Sequence, residues 1–160
     1  MSDTYRLTFT GTLALTASAP VVSLYVDGRW RLREPMEVRI FGAKAVVPAG
    51  FPTDFASVPR PLKMLFPNAL LFSASSVFHD WLYKLGVDKD LADAVFYAMM
   101  KQELREWKQE QAYSTGWRRQ IVTFRILYRR SLALAMWQCV QWFGGFAYAA
   151  HRRADVPRGT

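Results

Sequence analysis

Residues 1–50 alternate between apolar and polar positions with the period of β-strands. The stretch YRLTFTGTLALTAS at 5–18 carries β-branched and aromatic residues in partial alternation. In VSLYVDGRWRLR at 22–33, Asp27-Gly28 separates two alternating runs, a strong signal for a hairpin. A further pair of runs flanks Gly42-Ala43 in MEVRIFGAKAVVPAG. Residues 1–50 are therefore predicted to form a small antiparallel sheet.

After residue 50 the pattern changes, first to a proline-rich segment and then to helices. Residues 51–68, FPTDFASVPRPLKMLFPN, contain four prolines and are predicted to be an ordered loop, neither strand nor long helix. Residues 69–150 are predicted to be helical and residues 151–160 to form a basic tail. Strands followed by helices favour an α+β fold, and a length of 160 residues is typical of a single domain.

Three helices are expected in the second half of the chain. The first covers about residues 69–85 and ends at Gly86, a natural C-cap. The second runs to about residue 108, with Asp88 as its N-cap. The third is long, begins near residue 114 or 116, and is expected to end near Gly144.

An uncharged run at residues 131–150, SLALAMWQCVQWFGGFAYAA, lies between arginines and has a length that could span a bilayer. Its two glutamines and the Gly144-Gly145 pair favour a core helix instead, so it is only a weak membrane candidate. The N-terminal MSDTYRLTFTG lacks a positive region followed by an apolar run. No signal peptide is expected.

The net charge of +8 favours polyanionic partners in general, but a solvated basic face is the preferred interpretation over a specific polyanion site. The chain contains no zinc-finger spacing, Walker loop or RNA-binding aromatic motif. No specific nucleic-acid motif therefore supports a dedicated polyanion site. The single cysteine, Cys139, excludes an intrachain disulfide. Its apolar neighbours favour a buried, inert thiol over a nucleophile.

The stretch FHDWLYKLGVDKDLADAVF at 78–96 contains a candidate site. Gly86 lies midway between His79 and Asp93, seven residues from each. Because a short connection makes the two helices antiparallel neighbours, these side chains should lie at the same height above the turn. Asp93 can then accept a hydrogen bond from one imidazole nitrogen, which fixes the other nitrogen as a proton acceptor.

Neighbouring residues extend this constellation. Tyr83 shares a helix face with His79 and could also reach Asp93. Asp80 is rotated about 100° from His79 and could face a metal or a substrate. Phe96 and Met100 would form an apolar wall. The competing interpretation is a satisfied buried histidine beside a solvated Asp80, with Asp93 as an acid favoured in the first turn of its helix.

Four segments resemble a phage and prophage family known as domain of unknown function 1353: VPAGFPTDFASVPRPL, SSVFHDWLYKLG, LADAVFYAMM and VQWFGGFAYAA. The matched region runs from about Val47 to Tyr148. The resemblance singles out Thr53, Asp54 and Ser57 as residues that line a site beside His79 and Asp93. The alternative for Asp54 and Ser57 is turn formation. The family name implies no activity, but the phage and prophage resemblance implies the host cytoplasm or a virion as the location.

The pair of motifs His-Asp-x-x-Tyr and Ala-Asp-x-x-Phe is also similar to the two active-site helices of phospholipases A2. That similarity implies that His79 activates water, Asp93 orients it, Tyr83 bonds to Asp93 and Asp80 ligates calcium. No Gly-x-Gly loop precedes His79 to complete the calcium shell, so Asp54 or backbone near Thr53 would have to replace it. Zinc is less favoured, because one histidine in reach and no spare cysteine leave only carboxylates.

The sequence supports three functional hypotheses. The first is a hydrolase with catalytic residues His79, Asp93 and Tyr83, with or without a metal, acting on lipid esters or cell-envelope material. The second is a non-enzymatic phage virion protein, of the tail or connector, or a host-interaction protein in which the same residues are structural. The third is a membrane-surface protein using the basic, tryptophan-rich C-terminal part. The expected partners are other virion proteins or an anionic cell-envelope surface.

Overall fold

The computed structural model describes residues 15–17, 19–24, 30–40, 43–53, 72–112 and 116–153. Its strands are β1 (Leu15–Ala17), β2 (Val22–Leu24), β3 (Trp30–Leu32), β4 (Met36–Ile40), β5 (Ala43–Val47) and β6 (Pro52–Thr53). Its helices are α1 (Ser73–Lys84), α2 (Lys89–Glu110) and α3 (Trp117–Arg153). Strands near the N-terminus followed by three helices confirm the predicted α+β fold.

The described strands form two antiparallel sheets of three strands, in the orders β1-β4-β5 and β2-β3-β6. Strand β4 shows the expected alternation, since Met36 and Val38 are buried while Glu37 and Arg39 are exposed. The predicted hairpin strands β2 and β3 do pair. The Asp27-Gly28 turn itself lies outside the described residues.

Part of the proline-rich segment was wrongly predicted to contain no strand. Pro52 and Thr53 pair with Arg31 and Trp30 as β6. A proline is tolerated here because it is the first residue of a short strand that pairs on one side only. The strand delivers the Thr53 side chain, which is 4% exposed, to the interior. Residues 54–68 of the predicted loop lie outside the description.

The connection between α1 and α2 follows the predicted signals closely. Gly86 has φ 73°, a left-handed conformation that suits glycine, and its N–H donates to the carbonyl of Tyr83 at 3.1 Å. Asp88 caps α2, since its side chain accepts from the Leu91 N–H at 3.1 Å. The two helices therefore pack as an antiparallel hairpin about Gly86.

Helix α3 continues past the glycine pair to Arg153, so the predicted end near Gly144 was wrong. A Cβ atom on Gly144 would lie 2.7 Å from the Tyr83 hydroxyl, whereas one on Gly145 would meet nothing within 4 Å. The glycine at 144 thus permits close approach between two helices and does not stop one of them. The same continuation makes residues 151–153 helical, and the rest of the predicted basic tail lies outside the described part.

The identification of residues 131–150 as a membrane candidate was also wrong. Within the described ranges, no helix combines the length and the apolar character that crossing a bilayer requires. The apolar residues of this run are used internally instead. Leu132, Ala133, Met136 and Val140 are buried and pack in one cluster with residues that include Phe96. A one-sided apolar face of this kind is typical of a core helix.

The N-terminus of α1 is capped by a residue from another helix. Phe72 occupies the N-cap position and makes no side-chain cap bond. The Ser75 N–H instead donates to Glu103 Oε1 of α2 at 2.7 Å. Burial raises the pKa of Glu103 to about 7, against the opposing effect of the hydrogen bonds from Ser75. This carboxyl group therefore titrates near neutral pH.

We expect Gly144→Ala to destabilise the fold by about 1–3 kcal/mol, since the Tyr83 hydroxyl is hydrogen-bonded in place and cannot yield to the new methyl group. Gly145→Ala, one residue along the same helix, should instead stabilise it by roughly 0.5–1 kcal/mol, because alanine is the better helix former. Urea denaturation of both variants measures the difference. Equal effects of the two substitutions would refute the close-approach role of Gly144.

Because the folded-state pKa of Glu103 is raised, the stability that its protonated form gives the fold is complete below the ordinary pKa of 4.5. That stability is lost as pH rises through about 7. Glu103→Gln should therefore gain about 1–3 kcal/mol of stability relative to the wild type between those two limits. Denaturation across a pH series tests this. The exposed Glu110, on the same helix, gives the matched control Glu110→Gln, whose difference from the wild type should stay flat.

Candidate functional site

The helical hairpin brings His79 and Asp93 into direct contact. His79 Nε2 lies 2.8 Å from Asp93 Oδ1, and both side chains are 0% exposed. The hydrogen bond predicted from the symmetric spacing about Gly86 is thereby confirmed. Facing positions on antiparallel helices, joined by a tight glycine turn, are sufficient to produce this contact.

Three further side chains donate hydrogen bonds to the same carboxylate. The Tyr83 hydroxyl donates to Oδ1 at 2.6 Å, as predicted. Lys89 Nζ donates to Oδ2 at 2.6 Å, and Gln141 Nε2 donates to Oδ2 at 3.1 Å. Lys89 also reaches the backbone carbonyl of Gln141 at 3.4 Å. Asp93 therefore connects all three helices.

Sequence reasoning missed Lys89 and Gln141. Lys89 precedes Asp93 by four residues on one helix, a spacing at which opposite charges meet, so that signal was present. Gln141 lies 48 residues from Asp93, and only its polarity within an apolar run marked it. Local spacing could have found the lysine, whereas the glutamine required knowledge of how α3 packs.

The electrostatics of the site favour a charged Asp93. Burial alone would raise the pKa of this carboxyl, but hydrogen bonds from His79, Lys89 and Tyr83 together hold it below its ordinary value. The pKa of Tyr83 is raised well above its usual range by burial and by the neighbouring Asp93 carboxylate. The Tyr83 hydroxyl therefore stays protonated and donates, while the Asp93 carboxylate stays charged and accepts.

The imidazole of His79 is fixed in place and in tautomer. Its ring lies 4.1 Å from that of Tyr83 and 4.7 Å from that of Phe96, centroid to centroid, so Phe96 forms the predicted wall. Since a carboxylate can only accept, Nε2 must carry a proton, so in the neutral form of the ring the lone pair is on Nδ1. Nδ1 is buried, with no hydrogen-bond partner among the residues that the structure describes.

Asp80 is not the solvated charge of the competing interpretation, because it is 2% exposed. Its Oδ2 accepts from the Thr53 hydroxyl at 2.7 Å, which ties β6 to α1. One turn before His79, the buried Ser76 hydroxyl has no hydrogen-bond partner in the described part of the chain. Asp54 and Ser57, the other predicted site residues, lie outside the described residues.

Cys139 fits the expected inert thiol better than a nucleophile. It is half-buried, and burial raises the pKa of its thiol, which disfavours the reactive thiolate.

A family model described as "Protein of unknown function (DUF1353)" matches residues 30–115, more than half of the chain. The chain belongs to the DUF1353 family. No curated protein and no solved structure matches it. The DUF1353 match includes β3 to β6, α1 and α2, and therefore His79, Lys89 and Asp93.

Helix α3 lies entirely outside the DUF1353 match, yet it completes the site. It contributes the Gln141 amide to Asp93 and the bare backbone of Gly144 beside Tyr83. The part of this DUF1353 protein that carries the histidine and the carboxylate is thus closed by a helix from beyond the matched region.

Removing Lys89 should weaken the fold through Asp93. We expect Lys89→Met to cost about 2–3 kcal/mol, because a fully buried carboxylate loses its nearest cation. A depressed folded-state pKa contributes stability above the ordinary value of 3.8 and loses it as pH falls through the folded value. Since the variant's Asp93 pKa should be higher, its acid unfolding should begin at higher pH.

Urea denaturation over a series of pH values measures both effects. Lys108→Met, at an exposed position on the same helix, is the matched control and should remain close to the wild type. An unchanged acid limb in Lys89→Met would show that the lysine does not govern the carboxylate.

Proposed function

We propose that this DUF1353 protein is a hydrolase in which His79 acts as general base and Asp93 as its positioning residue. One observation carries the proposal. His79 donates Nε2–H to Asp93, while the buried Nδ1 has no hydrogen-bond partner within the described ranges. This is the arrangement in which an imidazole accepts a proton from water.

A purely structural histidine gains nothing from this arrangement. Leaving a buried acceptor unsatisfied costs about 1–3 kcal/mol, and native structures usually satisfy such groups. Asp93, by contrast, receives four donors, from His79, Tyr83, Lys89 and Gln141. An imidazole held firmly through one nitrogen, with the other nitrogen left as an unpaired acceptor, is typical of a site organised for proton transfer.

The proposed reaction is the hydrolysis of an ester. Nδ1 of His79 takes a proton from water, and the resulting hydroxide attacks the carbonyl carbon. The imidazolium is stabilised by the Asp93 carboxylate, whose low pKa keeps it charged. Collapse of the tetrahedral intermediate breaks the bond to the alcohol, which leaves with the proton from Nδ1. Ester and water thus give an acid and an alcohol, and His79 is restored.

Two considerations define the substrate class. The pattern of His79, Asp93 and Tyr83 is similar to that of phospholipases A2, which favours a lipid ester or another ester of the cell envelope. The phage and prophage associations of the resemblance favour an envelope substrate as well. Calcium fits less well, because the described residues contain no group of three histidine, cysteine or acidic side chains placed to hold a metal. We therefore assign no step to a metal.

Access is the main demand that this mechanism makes on the fold. His79 and Asp93 are fully buried, so a substrate reaches Nδ1 only after covering groups move. That burial also supports a second candidate, a non-enzymatic virion protein of the tail or connector, or a host-interaction protein, in which the network joins three helices. The two candidates differ in whether loss of the imidazole affects a reaction or only the fold.

We expect His79→Ala to abolish hydrolysis and Asp93→Asn to leave a residue of it. General-base catalysis contributes about a hundred- to ten-thousand-fold, and removing the acceptor forfeits all of it. An asparagine keeps the shape but can present an amide donor, which selects the wrong tautomer of His79. Initial rates on phospholipid and peptidoglycan panels, with calcium or with a chelator, measure the losses.

Two controls keep the experiment decisive. His79→Gln retains a donor toward Asp93 without a base, so it should fold and yet be inactive. Ser76→Ala should stay active, because water and not this hydroxyl is the proposed nucleophile. A wild type inert on every substrate, together with unfolding of His79→Ala, would establish the structural candidate in place of the hydrolase.

A further inference from the structure

A cleft between α2 and α3 concentrates positive charge that the proposed hydrolase does not use. Its volume is about 340 Å³, within the range of sites for small molecules. Its rim consists of four exposed cationic side chains: Lys101, Arg105, Lys108 and Arg130. The described residues that line it include no carboxylate.

Within residues 101–110 of α2, the part that carries the cations of the cleft, the charges are segregated by face. Lys101, Arg105 and Lys108 recur at intervals of four and three, which puts them on one side of the helix. The acids lie on the other side, where Glu103 binds the α1 terminus and Glu106 accepts from Gln102. The cations of the cleft are therefore not neutralised by their own helix.

Nor does the facing helix neutralise them. Residues 117–153 contain no aspartate and no glutamate, so Arg130 adds a fourth positive charge that α3 leaves uncompensated. In the described part of the chain, the ion pairs, whose acceptors include Glu37 and Asp93, do not involve these four cations. Like charges around one concave surface repel each other, and an anion seated among them removes that cost.

The floor of the cleft is apolar. Leu104 and Ile126 are half-buried and Ala133 is buried, with the Tyr97 ring beside them. The Lys101 ammonium lies 5.2 Å from the centre of that ring, a cation–π distance. A ligand suited to this surface needs an anionic end for the rim and an apolar or aromatic body for the floor.

We propose that this cleft binds a phosphate monoester attached to a small apolar or aromatic body. Such a group carries a charge of about −1.5 to −2 at neutral pH and offers three acceptor oxygens. Arg105 and Arg130 supply the planar donor forks that match phosphate oxygens, while the two lysines act as point charges. The same chemistry occurs in a soluble phosphate ester and in the headgroup of a lipid phosphate.

The test uses the full chain and 1-naphthyl phosphate as the probe, with 1-naphthol and inorganic phosphate as partial probes. Titration calorimetry should show that the complete probe binds more tightly than either part. Arg105→Gln combined with Arg130→Gln should weaken binding at least about tenfold, the loss expected for charge-assisted hydrogen bonds.

The matched control is Arg33→Gln combined with Arg39→Gln, which removes the same charge from exposed positions outside the helices that do not line the cleft. It should bind within about twofold of the wild type, since a general electrostatic effect of charges outside the cleft is screened by salt. Equal weakening in the two double variants, or no binding of 1-naphthyl phosphate by the wild type, would overturn the proposal.

Vesicles distinguish the two sources of the ligand. Phosphatidylcholine vesicles with and without phosphatidic acid are mixed with the wild type and both double variants, and co-sedimentation is measured. Retention that needs phosphatidic acid and is lost only in the cleft variant assigns the site to a lipid headgroup. Binding of 1-naphthyl phosphate alone assigns it to a soluble ester. Retention that persists in the cleft variant contradicts the site.

Discussion

The buried carboxylate of Asp93 is the constraint on which the helical half of this protein depends. An ionised group with no exposed surface is tolerated only when its oxygens are fully hydrogen-bonded and its charge is paired. Asp93 meets that condition with donors from α1, α2 and α3. The register of each helix is therefore coupled to one point in the core, because a shift of any helix would remove a donor. Glycine at 86 and 144 permits this convergence, at a tight turn and at a close approach.

Helix α1 is held by polar contacts along its whole length, although most of its residues are buried. At its N-terminus Ser75 donates to Glu103, and in its middle Asp80 accepts from Thr53. The neighbouring His79 contacts Asp93, and toward the C-terminus Tyr83 contacts the same carboxylate. Apolar packing alone would allow such a helix to rotate or slide, since one hydrophobic surface substitutes readily for another. The polar contacts fix its orientation, and with it the direction of His79 Nδ1.

What the sequence predicted well was carried by local signals. The hairpin about Gly86, the Asp88 cap and the contact of His79 with Asp93 all follow from spacings within one short stretch. The errors share a different cause, because each depended on contacts between residues far apart in sequence. Gly144 was interpreted as a helix end since its close neighbour, Tyr83, lies 61 positions earlier.

The membrane candidate failed for a related reason. Hydropathy alone cannot tell an apolar run that faces lipid from one that faces a protein core, and the residues of 131–150 that face inward do so because α2 lies against them. The four-residue spacing from Asp93 could have identified Lys89, which was overlooked. No local rule could have identified Gln141. Sequence patterns thus predicted α1 and α2, which contain His79 and Asp93, better than α3, which packs against them.

Helix α2 shows how one segment serves the core and the surface at once. Its inward acids, Asp93 and Glu103, each accept hydrogen bonds from neighbouring elements, and burial affects the pKa of both. Burial raises the pKa of both carboxyls, but the net shifts are opposite. Asp93 has enough donors to remain charged, whereas Glu103 has fewer and its pKa rises to about 7. On the exposed surface of α2 the charges balance, with Asp90, Glu106 and Glu110 against Lys101, Arg105 and Lys108. The excess of positive charge in the helical half therefore comes from α3, because residues 117–153 contain seven arginines and no acid.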